Sequence, residues 1–248
     1  MAAPRVIAVT GASRGIGAAI ALELAQRGFM VGCLTRKGMG PESVSIPRET
    51  AGRLVCCRCD VTDEASIRGA LGDLAARCGA IHGLVNNAGI HLDAPSHEMT
   101  TAAYQGVMAV NATAVFAACR EAFPHLARAG GGIVVNIGSF FDKIGVKRSL
   151  AYCASKAAVG AMTRCLAVEW AGKGIRVLDV APGYIETDLI SAALKQGPLR
   201  EYLAKRIPGR QTGTASDVAR LVAAIIGEDI PFLTGETIYL DGGQGIAH

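Results

Sequence analysis

Short apolar runs of strand length alternate with helical stretches along the whole chain. The runs are mostly apolar at every position rather than at every second one, which is typical of parallel strands that are covered on both faces. The predicted strands span residues 5–10, 29–35, 53–57, 83–86, 132–137, 176–180 and 236–240. The stretches with helical periodicity span residues 16–27, 66–78, 100–110, 112–129, 151–171 and 215–226.

The repeated strand–helix–strand order predicts an α/β fold of the Rossmann type, a doubly wound seven-stranded parallel sheet with helices on both faces. Residues 37–52 include Gly38, Gly40, Pro41 and Pro47, so we expect a loop or a short turn of helix there. Residues 187–213 lack strand character and predict a small helical lid at the carboxyl ends of the strands. No change of composition marks a boundary, so residues 1–248 are predicted to form one domain.

Composition and charge exclude several classes of protein. Half of the 248 residues are hydrophobic, which is enough for a sizeable core. The net charge of +4 is spread along the chain without a basic run, which argues against a nucleic-acid partner. The chain has no apolar run of about 18 residues and begins directly with a strand pattern, so we expect neither a membrane span nor a secretory signal.

Three of the eight cysteines are clustered at Cys56, Cys57 and Cys59. The cluster lies in an apolar run and lacks the paired spacing and neighbouring histidines of a zinc site. We interpret these cysteines as small buried hydrophobic residues and predict no metal site. The chain is long enough to fold without disulfides, which favours a reduced, cytoplasmic protein.

A glycine-rich turn, T-G-A-S-R-G-I-G, joins the first predicted strand to the first predicted helix. Glycines allow a tight turn and close approach of a pyrophosphate, and the following helix directs free N–H groups toward it. The position between a strand and a helix favours a dinucleotide site over an ordinary turn. The candidate residues in this turn are Gly11, Ser13, Arg14, Gly15, Ile16 and Gly17.

The end of the second predicted strand reads Arg36-Lys37, with no acidic residue. An acid at this place bonds the ribose 2′-hydroxyl of NAD, whereas arginine accommodates the 2′-phosphate of NADP. With Arg14 nearby, we predict a preference for NADP(H), with NAD(H) as the alternative; the two basic residues alone would also suit a solvated surface. Further cofactor contacts are predicted after the third and fourth strands, at Asp60, Val61, Asn87, Ala88 and Gly89.

Tyr152 and Lys156 are four residues apart in Y-C-A-S-K, near the start of a predicted helix, and therefore share one helix face. A tyrosine is a poor base at neutral pH, but a neighbouring ammonium favours its ionised form. Such a tyrosine can exchange a proton with an alcohol or a ketone. Ser139 and Asn111, which lie upstream, complete a candidate catalytic set, although each residue taken alone also suits packing, capping or solvent.

The chain resembles the short-chain dehydrogenase/reductase family over nearly its whole length, and is similar to its 3-oxoacyl-acyl-carrier-protein reductases. The resemblance rests on the order and spacing of several motifs together. These motifs lie at residues 10–17, 59–63, 86–89, 110–112, 136–139, 152–156, 181–187 and 235–243.

The resemblance implies a role for each candidate. Tyr152 would be the general acid in reduction and the base in oxidation, and Lys156 would activate it and hold the nicotinamide ribose. Ser139 would polarise the substrate carbonyl, and Asn111 would shape a kinked helix and position a water for proton relay. The residues that would contact the nicotinamide are Pro182, Gly183, Ile185 and Thr187.

The expected activity is NADP(H)-dependent interconversion of a ketone and a secondary alcohol, with 3-oxoacyl thioesters, other alcohols, steroids, sugars and xenobiotic carbonyls all open as substrates. Scattered basic residues, such as Arg128 and Lys173, suit either an acidic carrier protein or solvent. Phe140 and Phe141 would either alter the substrate entrance or belong to the core. A cofactor-binding regulator without turnover is disfavoured by the intact catalytic set. The resemblance implies a homotetramer paired through the helices at 112–129 and 151–171.

Overall fold

A computed structural model describes residues 3–42, 44–186, 202–203 and 205–247. Strands and helices alternate through this part of the chain, as the apolar pattern predicts. The strands are β1 (Val6–Thr10), β2 (Met30–Thr35), β3 (Leu54–Arg58), β4 (Gly83–Asn86), β5 (Gly132–Ile137), β6 (Ile175–Pro182), β7 (Ile185–Glu186), β8 (Gly213–Thr214) and β9 (Thr237–Leu240). The helices are α1 (Gly15–Gln26), α2 (Arg48–Ala51), α3 (Glu64–Cys78), α4 (Thr101–Met108), α5 (Ala114–Arg128), α6 (Leu150–Trp170) and α7 (Ala215–Gly227).

Seven strands form one parallel sheet in the order β3-β2-β1-β4-β5-β6-β9, while β7 and β8 pair separately. The chain order reverses between β1 and β4, which are neighbours in the sheet. In sheets of this kind the crevice at the reversal is the usual place for a ligand. The predicted doubly wound seven-stranded fold is confirmed, and the candidate residues that follow β1, β2, β4, β5 and β6 all lie at the carboxyl edge.

Both faces of the sheet are covered, which explains why the strands are apolar throughout. On one face α1 and α7 bury residues such as Ile20 and Val222 against the sheet. On the other face α3, α5 and α6 bury residues such as Leu71, Leu126 and Val159. At about 25 cal/mol per Å² of buried apolar surface, these two layers supply the main stabilisation of the sheet.

The predicted helices at 100–110 and 112–129 form one continuous helical stretch. A π-helical turn, Ala109–Thr113, joins α4 to α5 without a break. By length and composition alone, the stretch Thr101–Arg128 is apolar enough to cross a membrane. Within this stretch Arg120 pairs with Glu64 of α3 at 2.8 Å, while Ala118, Ala122 and Leu126 pack in the core.

Among the described residues between β2 and β3, α2 is the one helical turn, as predicted from the glycines and prolines there. The predicted lid at about 187–213 is only partly described. Residues 187–201 and 204, and with them Thr187, lie outside the described residues. Where its end is described, residues 202–203 and 205–206 are helical, and Leu203 and Ile207 pack together with Tyr184.

Candidate active site

The glycine turn after β1 leaves no room for side chains at two positions. Gly11 has a φ of +66°, and a Cβ added there would lie 2.9 Å from Cα of Ala88. A Cβ at Gly17 would overlap the carbonyl oxygen of Gly11 and the side-chain nitrogen of Asn87. The N-cap residue of α1, Arg14, makes no side-chain hydrogen bond to the first turn, which contains no acid. The turn and helix thus form a cradle that suits an anionic ligand.

Thr10 and Asn87 tie the glycine turn to the end of β4. The Asn87 side-chain amide donates to the Thr10 and Gly11 carbonyl oxygens at 3.0 and 3.2 Å. The Thr10 hydroxyl accepts from the backbone N–H groups of Asn87 and Ala88 at 3.0 and 3.1 Å. The two carboxyl-edge turns are therefore one rigid unit, in which the Asn87 side chain acts as a brace.

Basic side chains surround the end of β2. Arg36 and Lys37 are exposed immediately after the strand, and Arg14 is exposed in the neighbouring glycine turn. Asp60 follows β3, and its Oδ1 accepts from the hydroxyl and backbone N–H of Thr62 at 2.7 and 3.0 Å. These hydrogen bonds, and more weakly the Arg36 guanidinium, lower the pKa of the Asp60 carboxyl. Asp60 is thus an ionised group next to Arg36, and its Oδ1 is already used within its own turn.

Lys156 is the most constrained residue of the Tyr152 helix face. It is only 5% exposed, and its Nζ donates to the Ile137 carbonyl oxygen at the end of β5 at 2.7 Å. The same Nζ lies 5.6 Å from the centroid of the Tyr152 ring. An ammonium group has three N–H donors, so one is fixed on β5 while the group faces the phenol. The i, i+4 spacing therefore places the ammonium beside the tyrosine, as predicted.

Asn111 lies in the π-helical turn and is 1% exposed. Its Oδ1 accepts from the Ile90 N–H at 2.8 Å, and its Nδ2 donates to the Ile90 carbonyl at 2.8 Å and to the Ser155 hydroxyl at 3.1 Å. Ser155 in turn donates to the Tyr152 carbonyl at 2.7 Å. The π turn, a feature that is frequent at functional sites, thereby connects α6 to the loop after β4.

Ser139 lies two residues after the end of β5 and caps the following 3₁₀ turn, Phe140–Asp142, where its hydroxyl accepts from the Phe141 N–H at 3.3 Å. Phe140 and Phe141 differ in their burial. Phe140 is buried in the protein, while the half-buried Phe141 ring meets Tyr152 edge-on at 5.9 Å between centroids. His91 meets Tyr152 from another side at 5.0 Å. The Tyr152 ring therefore adjoins two other aromatic rings, those of Phe141 and His91.

The end of β6 is packed closely against the end of β9. A Cβ at Gly183 would lie 2.7 Å from Cα of Asp241, so this position has room only for glycine. Pro182 is the last residue of β6, and Ile185 is 6% exposed with its side chain in the core beside Gly213. Any contact of Ile185 with a ligand would therefore come from its backbone. The fourth residue of this predicted group, Thr187, lies outside the described residues.

The structure also brings in residues that sequence reasoning missed. Thr10 is the first residue of the glycine-rich motif T-G-A-S-R-G-I-G, and Ser155 lies between Tyr152 and Lys156 in Y-C-A-S-K. Their place in these two motifs was the available signal. His91, which bonds the Ser149 hydroxyl at 3.1 Å, had no such signal because loop residues have no periodicity. Within the described ranges, no group of three or more His, Cys, Asp or Glu residues is arranged to hold a metal ion.

The chain is similar to known proteins over most of its length. A family model described as enoyl-(acyl carrier protein) reductase matches residues 11–244. A 2-(R)-hydroxypropyl-CoM dehydrogenase of Xanthobacter autotrophicus is 37% identical over 96% of this chain and 97% of its own. A cis-4-hydroxycyclohexanecarboxylate dehydrogenase of Sinomonas cyclohexanicum is 37% identical over 97% and 96%. A 3-oxoacyl-[acyl-carrier-protein] reductase of Staphylococcus aureus is 32% identical over 95% and 96%.

Among solved structures, a short-chain type dehydrogenase/reductase from Mycobacterium marinum superposes with a TM-score of 0.90. It is 30% identical, with 99% of this chain and 97% of that chain covered. The chain belongs to the short-chain dehydrogenase/reductase family. It is an oxidoreductase that acts on alcohols or ketones with a nicotinamide cofactor.

Proposed function

We propose that the protein is an NADP(H)-preferring dehydrogenase/reductase that interconverts a ketone and a secondary alcohol, with Tyr152 as the general acid and base. The observation that carries this proposal is the position of the Lys156 ammonium, buried beside the Tyr152 ring and fixed to the end of β5. A fixed positive charge next to a phenol favours proton release from it. A regulator without turnover would not need this arrangement.

The other roles follow from position. Ser139, at the carboxyl end of β5, polarises the substrate carbonyl oxygen through its hydroxyl. Asn111 holds the loop after β4 and, through Ser155, the first turn of α6, and we assign it the proton relay on the side of Lys156. Positioned groups of this kind contribute about 10²–10⁴-fold each to proton-transfer steps.

The cradle fits a dinucleotide because only glycine is tolerated at Gly11 and Gly17, and because the first turn of α1 offers free N–H groups. The bound nicotinamide supplies or accepts the hydride. Gly11 to Gly17 would hold the pyrophosphate, and Asn87, Ala88 and Gly89 the adjoining ribose. Lys156 would bond the second ribose, and the end of β6 would contact the nicotinamide amide. Asp60 and Val61 would adjoin the adenine.

The preference for NADP(H) is supported by charge at the end of β2. Arg36, Lys37 and Arg14 are all exposed there, where a 2′-phosphate would lie, and no acidic residue follows β2 directly. Arginine recognises phosphate through two parallel hydrogen bonds, whereas a ribose hydroxyl would call for an acid. The Arg36 guanidinium is close enough to the Asp60 carboxylate to contribute to the lowering of its pKa.

The substrate that the site favours is compact. The described surroundings of Tyr152 are aromatic, from Phe141 and His91, and the Tyr184 ring adjoins Phe141 at 6.0 Å. Rings at this spacing suit a small alicyclic or short-chain alcohol. Two relatives are named for hydroxypropyl and hydroxycyclohexane substrates. Reduction of a 3-oxoacyl thioester is the second candidate, supported by the staphylococcal relative and the family model.

We also propose a homotetramer in the cytoplasm, paired through α5 and α6. Phe116 on α5 is 45% exposed and Val168 on α6 is 82% exposed, so both helices present apolar surface to solvent. Burial between copies would remove this surface from water. Light scattering at micromolar concentration tests the assembly, and a monomeric mass would refute it.

Steady-state turnover tests the activity. NADPH and NADH are compared side by side with a cyclic ketone, a short 2-ketone, a 3-oxoacyl thioester, a quinone and a steroid ketone. Tyr152→Phe is the test variant, and Tyr104→Phe, a tyrosine of α4, is the matched control. Turnover that is lost in the first variant and kept in the second supports the proposal. Full activity of Tyr152→Phe, or NADPH binding without turnover across the panel, would overturn it.

A further inference from the structure

A carboxylate that the catalytic roles do not use is buried behind Lys156. Asp179 lies in β6, is 0% exposed, and is in register with Asn136 of β5 and Thr237 of β9. Its Oδ2 accepts from the Thr237 hydroxyl at 3.2 Å. Its Oδ1 has no hydrogen-bond partner among the described residues. A buried charge with an unpaired oxygen costs stability, so a structural role alone does not explain it.

The carboxylate occupies the space that a side chain at position 138 would fill. A Cβ added to Gly138 would lie 2.5 and 2.6 Å from the two carboxylate oxygens of Asp179. Gly138 directly follows Ile137, whose carbonyl oxygen accepts from Lys156. Asp179 is in register with Asn136, whose side chain bonds Thr163 of α6 at 2.9 Å, so the carboxylate and the Lys156 ammonium lie on the α6 side of the sheet.

The charged groups around Asp179 come from three elements. Burial raises the pKa of its carboxyl to about 6, and the Asp142 carboxylate adds to the rise. The Lys156 ammonium opposes this rise most strongly, and the Thr237 hydroxyl also opposes it. Asp142 itself accepts from the Tyr239 hydroxyl at 2.9 Å. Asp179 is thus ionised above pH 6, and Lys156 is the cation that compensates it.

We propose that Asp179 is a positioning residue that acts on Tyr152 through Lys156. Its negative charge offsets part of the ammonium's positive potential at the phenol, which keeps Tyr152 in the protonated, proton-donating form up to a higher pH. Asp179 thereby biases the enzyme toward carbonyl reduction at neutral pH. The bias rests on the roles proposed above for Tyr152 and Lys156.

Ultraviolet titration of the tyrosines tests the proposal without a substrate. Tyrosinate absorbance at about 295 nm is followed with pH for the wild type and Asp179→Asn, each against its own Tyr152→Phe counterpart. The difference isolates the Tyr152 phenol from the other tyrosines, including Tyr239, whose pKa burial and Asp142 raise to about 12. We expect the phenol to ionise at a pH lower by about half a unit or more in Asp179→Asn. Superimposable curves would overturn the proposal.

Two further variants complete the experiment. Asp73→Asn removes a carboxylate that is 57% exposed on α3, and its curve should match that of the wild type. A double variant, Gly138→Ala with Asp179→Ala, removes the carboxylate and fills its space with the Cβ of residue 138. This variant replaces Asp179→Asn in the titration if Asp179→Asn does not fold. It should show the same shift. A shift in Asp73→Asn as large as that in Asp179→Asn would contradict the proposal.

The failure of this proposal is distinguishable from failure of the proposed function. If Tyr152→Phe keeps its turnover, the assigned catalytic role of Tyr152 is wrong. If Tyr152→Phe is inactive but the phenol titrates alike with and without the Asp179 carboxylate, only the role of Asp179 is wrong. As a second readout, the rise of alcohol oxidation with pH should begin at lower pH in Asp179→Asn.

Discussion

Asn111 and Ser155 are hydrogen-bonded across two helices, with 3.1 Å between Nδ2 and Oγ. Both side chains are buried, and each has a second bond that leads into the site, from Asn111 to Ile90 and from Ser155 to the Tyr152 carbonyl. The pair therefore fixes the helical turn that carries Tyr152 relative to the loop after β4.

We expect Ser155→Ala to lower kcat about tenfold and to reduce stability by about 1–2 kcal/mol, because Asn111 Nδ2 loses a buried acceptor. Thr163→Val is the matched control, since Thr163 is a second buried hydroxyl on α6 that bonds Asn136 at 2.9 Å away from the site. It should lose stability and keep kcat. Steady-state kinetics and urea denaturation measure both. If Ser155→Ala and Thr163→Val lowered kcat equally, Ser155 would act only through packing.

Arg36→Asp should lower kcat/KM for NADPH by about a hundredfold or more, because it removes the phosphate partner and adds a repelling charge. Use of NADH should change far less or improve, since an acid at this place can bond the ribose. Arg128→Asp, with the same charge change on the exposed end of α5, controls for net charge. Equal losses with both cofactors would exclude Arg36 from a 2′-phosphate site.

Gly17→Ala should abolish cofactor binding, because its Cβ overlaps the Gly11 carbonyl and the Asn87 amide that brace the turn. Gly72→Ala is the control, since nothing lies within 4 Å of a Cβ at that position in α3. This control should bind normally and gain about 0.5–1 kcal/mol, because alanine is the better helix residue. Fluorescence titration with NADPH and thermal denaturation test the pair. Normal NADPH binding by Gly17→Ala would contradict the proposal that the glycine turn binds the cofactor.

Stability should fall as pH rises from about 4 to 6 because of Asp179. Its carboxyl has a pKa raised from 3.8 to about 6 in the folded protein, so the folded state binds more protons than the unfolded chain in this window. The difference of about two units costs about 3 kcal/mol above pH 6. Asp179→Asn removes that cost, and its advantage over the wild type should grow between pH 4 and pH 7. Denaturant unfolding at four pH values measures this, and parallel curves would contradict it.

Much of the fold follows from the sequence because strand and helix periods are local properties. The seven sheet strands and the long helices are predicted within a few residues, and β6 runs further than predicted because Ala181 and Pro182 pair with Tyr239 and Leu240. The predicted break near residue 111 is a π turn, since Asn111 is held by Ile90 and Ser155 while the helix continues.

The candidate site is predictable in part. Tyr152 and Lys156 share a helix face by spacing alone, so their proximity follows from the sequence. The hydrogen bond from Lys156 to the Ile137 carbonyl does not follow from the sequence, because it depends on which strand lies under α6. Asp179 lies within an apolar strand, and its neighbours follow only from its register with Asn136 and Thr237.

The short pairing of β7 with β8 fixes the two ends of the predicted lid. Ile185 pairs with Gly213 and Glu186 with Thr214, so the two ends of the segment are held next to each other. Tyr152 and the glycine turn both lie outside this segment of the chain, whereas its described end, Leu203 and Ile207, packs with Tyr184. Exchanging this segment between relatives is therefore a direct way to change the substrate range while the catalytic residues stay the same.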